Sequence, residues 1–277
     1  MIEYTLDSLS GVNILKKLWV SGFDDTVSGF KTFIKHNKKN FRIYTAKNNG
    51  DIVAMLFHIP CEVKGEKAHY LYGATTDEKF RNRGIMGKLI EFSLFDAKNY
   101  GEKFSFLYPA NDHLYGYYKR FGYERKCFSK TKTISRDDLV HIAEYPVFCV
   151  SMNVQGMSRL RNENLLGNAL KFSDDYMKYS VALTKNNGGY VVCSESGYAL
   201  VEEDEYSHCV VSEMFCTSDD IFPLLGELLK KSKAENFTFS YPPSLKIFDD
   251  EDISEDGMVK FLSDTKLPEA YIGLRNL

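Results

Sequence analysis

Arg81, Asn82, Arg83 and Gly84 stand directly before an apolar helical pattern in the segment FRNRGIMGKLIEFSLFDAKNYG, residues 80–101. Cations at a helix start oppose the positive end of the helix dipole, so their presence there asks for an anion. The first turn of a helix exposes N–H groups without intrahelical acceptors, and a phosphate placed on them satisfies both the amides and the dipole. Gly84 lets the backbone approach such a group closely, and Arg81 and Arg83 can add charge-assisted hydrogen bonds. A pyrophosphate fits this arrangement. The segment is not a Walker loop, since GxxxxGK[ST] is absent, and it lacks the GxGxxG spacing of a dinucleotide-binding turn.

The neighbouring elements must position that turn. Residues 12–20 (VNILKKLWV) place Ile14, Leu15 and Leu18 on one helical face, and DDTVSGFKTFIKHN predicts a second short helix. Strands follow at 41–46 (FRIYTA) and 52–59 (IVAMLFHI) around a KNNG turn, then at 69–76 (HYLYGATT). From Ile85 apolar residues recur at three- and four-residue steps up to Lys98, with Gly101 where a helix-ending glycine belongs. A strand FSFLYP at 104–109 precedes NDHLYGYYKRFGY, which reads as a short helix capped by Asn111 or Asp112 and stopped at Gly122. KTKTIS closes this first unit near residue 135.

The second half repeats the order in reduced form. GYVVCS, YALVEE and HCVVSEMFCT correspond to the three strands ending at Thr76, IFPLLGELLKK to the central helix, and NFTFSYPP to KFSFLYPA. The second copy lacks the turn holding Arg81, Arg83 and Gly84, so it cannot bind the same anion in the same way.

The order strand–(R/Q)xxGx(G/A)–helix, then a strand and a helix with Y-x-x-x-G-[FY], resembles the GNAT superfamily of acetyl-CoA-dependent N-acetyltransferases. Arg81-Asn82-Arg83-Gly84-Ile85-Met86 and Tyr118-Lys119-Arg120-Phe121-Gly122-Tyr123 carry the likeness, with Met86 where the family usually has Gly or Ala. The tandem layout is similar to the enhanced-intracellular-survival (Eis-like) branch. The resemblance implies an α/β (α+β) fold of two GNAT-like units, each a mixed, mostly antiparallel sheet flanked by helices. Residues 1–140 would form the catalytic domain and 141–277 a degenerate one.

It further implies acetyl-CoA as co-substrate, its pyrophosphate on the N–H groups of Asn82, Arg83, Gly84, Ile85, Met86 and Gly87. Ala74, Thr75 and Thr76 would pair with the pantetheine arm and hold the thioester carbonyl, and Asn111 matches a place near the cofactor that an N-cap residue would also occupy. Tyr118 matches the general acid that protonates the departing thiolate, with Tyr115 and Tyr117 as local competitors. In that branch the terminal carboxylate enters the active site, which makes Leu277 a candidate base; a terminal strand, with protons leaving through water, is the other reading. Asp24 and Asp25 lie where the branch lines its acceptor pocket, although an N-cap pair needs no such role. The implied activity is acetyl transfer to a primary amine of a small molecule by direct attack. A non-catalytic acyl-CoA-binding or sensor protein is the alternative.

Composition narrows the partners. The chain has 277 residues and a formal net charge of −3, which leaves no excess of Lys and Arg to neutralise nucleic-acid phosphates. No signal-peptide pattern or membrane-length apolar run occurs, so the expected compartment is the cytoplasm, with no membrane partner. Six cysteines without CxxC spacing read as reduced thiols, and six histidines without ligand spacing predict no metal. The acidic run DDEDISED at 249–256 reads as a solvated loop. Assembly into a homo-oligomer is left open.

Overall fold

The structure is a computed structural model that describes residues 1–277 apart from 24, 144–150, 166, 205, 218–220 and 275–277. The candidates Asp24 and Leu277 therefore lie outside the described residues. In chain order the elements are β1 (Ile2–Asp7), α1 (Val12–Phe23), α2 (Val27–Asn37), β2 (Arg42–Asn48), β3 (Asp51–Val63), β4 (Glu66–Thr76), α3 (Ile85–Asn99), β5 (Phe104–Leu107), α4 (Asp112–Lys119) and β6 (Glu124–Ser135). They continue with α5 (Arg136–Ile142), α6 (Val154–Asn164), β7 (Lys171–Phe172), α7 (Asp174–Asn186), β8 (Tyr190–Cys193), β9 (Gly197–Glu203), β10 (His208–Cys216), α8 (Ile221–Lys231), β11 (Asn236–Tyr241) and β12 (Asp252–Phe261).

The chain forms two compact units. The first takes Met1–Arg125 and Gly257–Leu267, the second Lys126–Asp256 and Pro268–Leu277. In the first, β1 to β4 pair antiparallel in sequence order, and β4 then pairs parallel with β5. The far edge of β5 pairs antiparallel with Met258, Val259, Lys260 and Phe261 of β12. β3 is buried along nearly its whole length, as expected of a strand covered on both faces. α3 lays Ile85, Leu89, Ile90, Leu94 and Ala97 on one face of this sheet against Tyr44, Leu56 and Leu71. α1 and α2 bring Trp19, Phe30 and Phe33 to an aromatic cluster with Phe41, Phe57 and Tyr72.

The second unit repeats this sense of pairing: β8–β9 and β9–β10 antiparallel, then β10–β11 parallel, with α8 between them in sequence. β11 pairs antiparallel with β6, so the KTKTIS strand belongs with the strands of the second unit rather than closing the first.

The acidic run also departs from expectation. Residues 252–256 of it are strand, Asp256 is buried and accepts from Ser129 Oγ at 2.8 Å, and Glu251 meets Lys130 Nζ at 2.6 Å. Charges that the spacing assigns to water are instead held by hydroxyl and ammonium partners on β6, which local composition cannot show. Among the described residues no helix is long and apolar enough to cross a membrane.

Candidate functional site

The anion turn is built by two left-handed residues. After β4, Asp77 caps a short 3-10 turn over Glu78–Phe80, Asn82 takes φ +60° and Gly84, the residue before α3, takes φ +72°. No side chain caps α3, and the first bond across its start runs from Lys88 N to Gly84 O at 3.2 Å. The N–H groups of Ile85, Met86 and Gly87 thus have no intrahelical acceptor. A Cβ built on Gly84 meets nothing within 4 Å, so the concavity is open on that side.

The arginines serve the turn first. Arg81 Nε donates to Thr76 O at 3.1 Å and Arg83 Nη2 to Lys79 O at 2.7 Å, and the Arg83 guanidinium lies 5.2 Å from the Phe80 ring centre. Both side chains remain exposed, so they brace the loop and leave positive charge at its rim.

Beside this turn the sheet splits. β4 and β5 pair only from Ala68, His69 and Tyr70 to Phe104, Ser105 and Phe106. Beyond them β4 continues with Ala74, Thr75 and Thr76 while that ladder ends, so that edge has no strand partner among the described residues, a form suited to pairing with an extended ligand. The β3 side is bulged: Thr75 faces Met55 and Tyr72 faces Phe57, so Gly73 and Ala74 together oppose Leu56. Gly73 takes φ +63° there, and a Cβ on it would lie 2.9 Å from Phe57 and 3.1 Å from Trp19. On Gly22 of α1 a Cβ would collide with Thr75 Oγ1, so the glycine lets that helix lie against the strand end.

Tyr118 sits in the core under α3, 8% exposed, with Tyr117 and Tyr123 edge-on to its ring. Burial, and secondarily Tyr117, push its pKa well above the ordinary phenol value. Its hydroxyl bonds to none of the described residues and is not among the sealed, unpartnered buried atoms, so it is free to donate. Tyr123, by contrast, is committed to Ser105 Oγ at 2.6 Å. The two sequence motifs meet physically at Gly87, where a Cβ would stand 3.1 Å from the Phe121 ring.

Asn111 occupies the N-cap position of α4, but its side chain makes no capping bond and is exposed, leaving its amide uncommitted among the described residues. Asp25 is engaged: Trp19 Nε1 donates to one oxygen at 2.7 Å and Thr26 N to the other at 2.6 Å. The cap of α2 is Thr26, which accepts from Gly29 N, so the N-cap reading of Asp25 is corrected by one residue.

One polar group at the far end of α3 escapes the sequence reading. Glu102 accepts from Arg42 Nη2 at 2.6 Å and from His69 Nδ1 at 2.7 Å, and the His58 and His69 rings stack 3.5 Å apart. Ser93 donates to Ile90 O, so its oxygen accepts from His58 Nε2, at 3.2 Å. Burial lowers both histidine pKa values, with His69 and Arg42 adding to the shift of His58. Burial opposes ionisation of Glu102, but His69 and Arg42 outweigh it and hold the carboxyl below its usual range. The three ligand-type side chains lie close enough to hold a cation, yet Glu102 is filled by Arg42 and His69. Histidines at inward positions of two apolar strands were the available sign.

Residues 8–125 match the family model described as Acetyltransferase (GNAT) domain. Over that stretch, within the first unit, the chain is similar to a GNAT acetyltransferase domain. None of the curated proteins compared matches the chain in sequence. Among solved structures, a conserved Enterococcus faecalis protein of unknown function, described as a probable N-acyltransferase, superposes with TM-score 0.78 at 14% identity, over 95% of this chain and 72% of that one. A GCN5-related N-acetyltransferase from Anabaena variabilis gives 0.74 at 15% identity over 95% and 73%, and Eis1 from Mycobacterium abscessus 0.70 at 13% over 95% and 74%. At such identities the likeness is one of fold.

Proposed function

We propose that the first unit transfers an acetyl group from acetyl-CoA to a primary amine of a small molecule. The observation that carries this reading is the open, uncapped start of α3 beside the unpaired edge of β4. Exposed amides of residues 82–87 bind the pyrophosphate, with Arg81 and Arg83 adding positive charge at the rim. The Ala74, Thr75 and Thr76 edge orients the extended pantetheine arm, and backbone N–H groups there face the carbonyl oxygen whose charge grows during transfer. When bound, acetyl-CoA supplies an acetyl group activated as a thioester and open to direct attack by an amine.

Tyr118 holds the proton that the leaving sulfur needs. Its raised pKa keeps the phenol protonated throughout the neutral range, and its hydroxyl is uncommitted. Asn111 offers a free amide next to the strand end. Asp25, and Asp24 beside it in sequence, supply negative charge suited to an ammonium group on the acceptor.

The test is thiol release from acetyl-CoA over a panel of primary amines, with product masses recorded. An acetylated amine from at least one acceptor class is expected. CoA binding without any acetylated product would make the protein a sensor, and no CoA binding would remove the reading altogether.

A further inference from the structure

The second unit contains a cavity of about 300 Å³ that the first unit's chemistry does not use. It opens where β10 and β11 stop pairing, after Val211 and Phe239, so Ser212 and Ser240 lie just past the split. Divergence of parallel neighbours is where open α/β sheets form ligand crevices. The cavity lies on the face away from α8: Val211 and Phe239 pack into the α8 core, while Val210, Thr238 and Ser240 alternate to the other side, toward Leu183 and Thr184 of α7 and Asn187 just beyond it.

The lining is specific in kind. Glu202 is its one charged side chain, and among the described residues its side chain bonds only to Asn187 Nδ2, at a long 3.4 Å. A half-buried carboxylate without a cation is costly, and burial pushes its pKa up. The hydroxyls of Thr131, Thr184 and Ser240 have no hydrogen-bond partner among the described residues. Thr238 is satisfied by Thr133 and His208, and Ser212 donates to Leu200 O at 3.4 Å. At roughly 30 Å³ per water the space holds on the order of ten waters, the size of a small organic molecule. One carboxylate, several unused hydroxyls and an aliphatic wall describe a host for a single ammonium group on a hydroxylated frame.

We propose that this cavity is a binding site for a small hydroxylated amine, an amino alcohol or amino sugar, with Glu202 as its counter-ion. The site stands independently of acetyl transfer in the first unit. Its test uses the full chain with labelled methyl groups and glucosamine as probe, with glucose as the neutral control. The Leu183, Val210 and Val211 methyl signals should shift with glucosamine and remain in place with glucose. Glu202→Gln should weaken that binding at least tenfold, and Ser240→Leu, which fills the space, should abolish it; the second variant decides if the first does not fold. Absence of shifts at these three methyls, equal shifts with glucose, or undiminished binding by the variants would overturn the proposal. Shifts confined to first-unit methyls would also overturn it, since they report the other site.

Discussion

In both units three antiparallel strands feed a helix and then a parallel strand, but the link from third strand to helix differs. After β4 it runs through residues 77–84, with Asn82 and Gly84 left-handed and the helix start uncapped. After β10 it is only four residues long, 217–220, and the sequence has no counterpart of Arg81, Arg83 and Gly84 there. Both sheets still split beyond their parallel pairs, at Tyr70 and Phe106 in one and at Val211 and Phe239 in the other. A strand split is thus common to both units, whereas the anion binding proposed for the first unit would depend on a few inserted residues. The comparison breaks if the turn is dispensable.

Gly84→Asp applies the largest pressure. It sets a side chain at φ +72°, a region that costs a non-glycine residue about 1–2 kcal/mol, and puts a carboxylate where a phosphate is expected. Together these should weaken CoA binding roughly a hundredfold, read by calorimetric titration. Unchanged affinity would show that the turn is a plain connection, no different in kind from the short link after β10.

Tyr118→Phe is the next largest. Removing a general acid typically costs on the order of a hundredfold in turnover, while the ring's packing against Tyr117 and Tyr123 is retained. CoA affinity should stay within about twofold. Equal losses in affinity and turnover would mean that Tyr118 supports the core and leaves the proton to another group.

Much of the first unit was legible because its signals are local. Strand alternation, the apolar period of α3 and the turn glycine each act within a few residues, and β2, β3, β4 and α3 form over the predicted stretches. What escaped depends on partners far away in sequence. Strand β12 becomes one through pairing with β5, and Asp256 is stable when buried because Ser129 accompanies it. The His58, His69 and Glu102 group is likewise assembled from three elements, none of which signals it alone. For the proposed site, spacing singled out Gly84 and the family resemblance singled out Tyr118, whereas the missing capping bond of Asn111 and the engagement of Asp25 by Trp19 are visible only in three dimensions.

The units also differ in what their buried polar centres do with protons. The first relies on His58 and His69, both neutral when folded because burial lowers their pKa values. A depressed pKa gives stability that is complete above the unfolded value near 6.5 and is lost as pH falls through the folded value. The second unit is centred on Arg161, buried against Glu213 and three backbone and phenol neighbours, a cation at every pH from 4 to 8. Its Glu202 has a raised pKa, so acid adds stability there, which is lost again as pH rises through the folded value. As pH falls from 7 to 5, protection against amide exchange, taken relative to the intrinsic rate at each pH, should therefore decline in β3, β4 and α3 before β9 and β10. Simultaneous decline in both units would erase this distinction.

The smallest effect tests the meeting of the two motifs. Gly87 lies inside α3, where alanine would ordinarily gain about 1 kcal/mol of helix propensity. Here the new methyl would press on Phe121 at 3.1 and 3.3 Å, and overpacking costs about 1–3 kcal/mol. Phe121 is only half-buried and can yield, so Gly87→Ala alone should be close to neutral in stability. In a Phe121→Leu background the obstacle shrinks and the propensity gain should emerge, giving a coupling of about 1 kcal/mol in a double-mutant cycle. Denaturant midpoints measure this directly. Additive effects would mean that Phe121 does not enforce the glycine, and that the backbone of the anion turn is set by Gly84 and Asn82 alone.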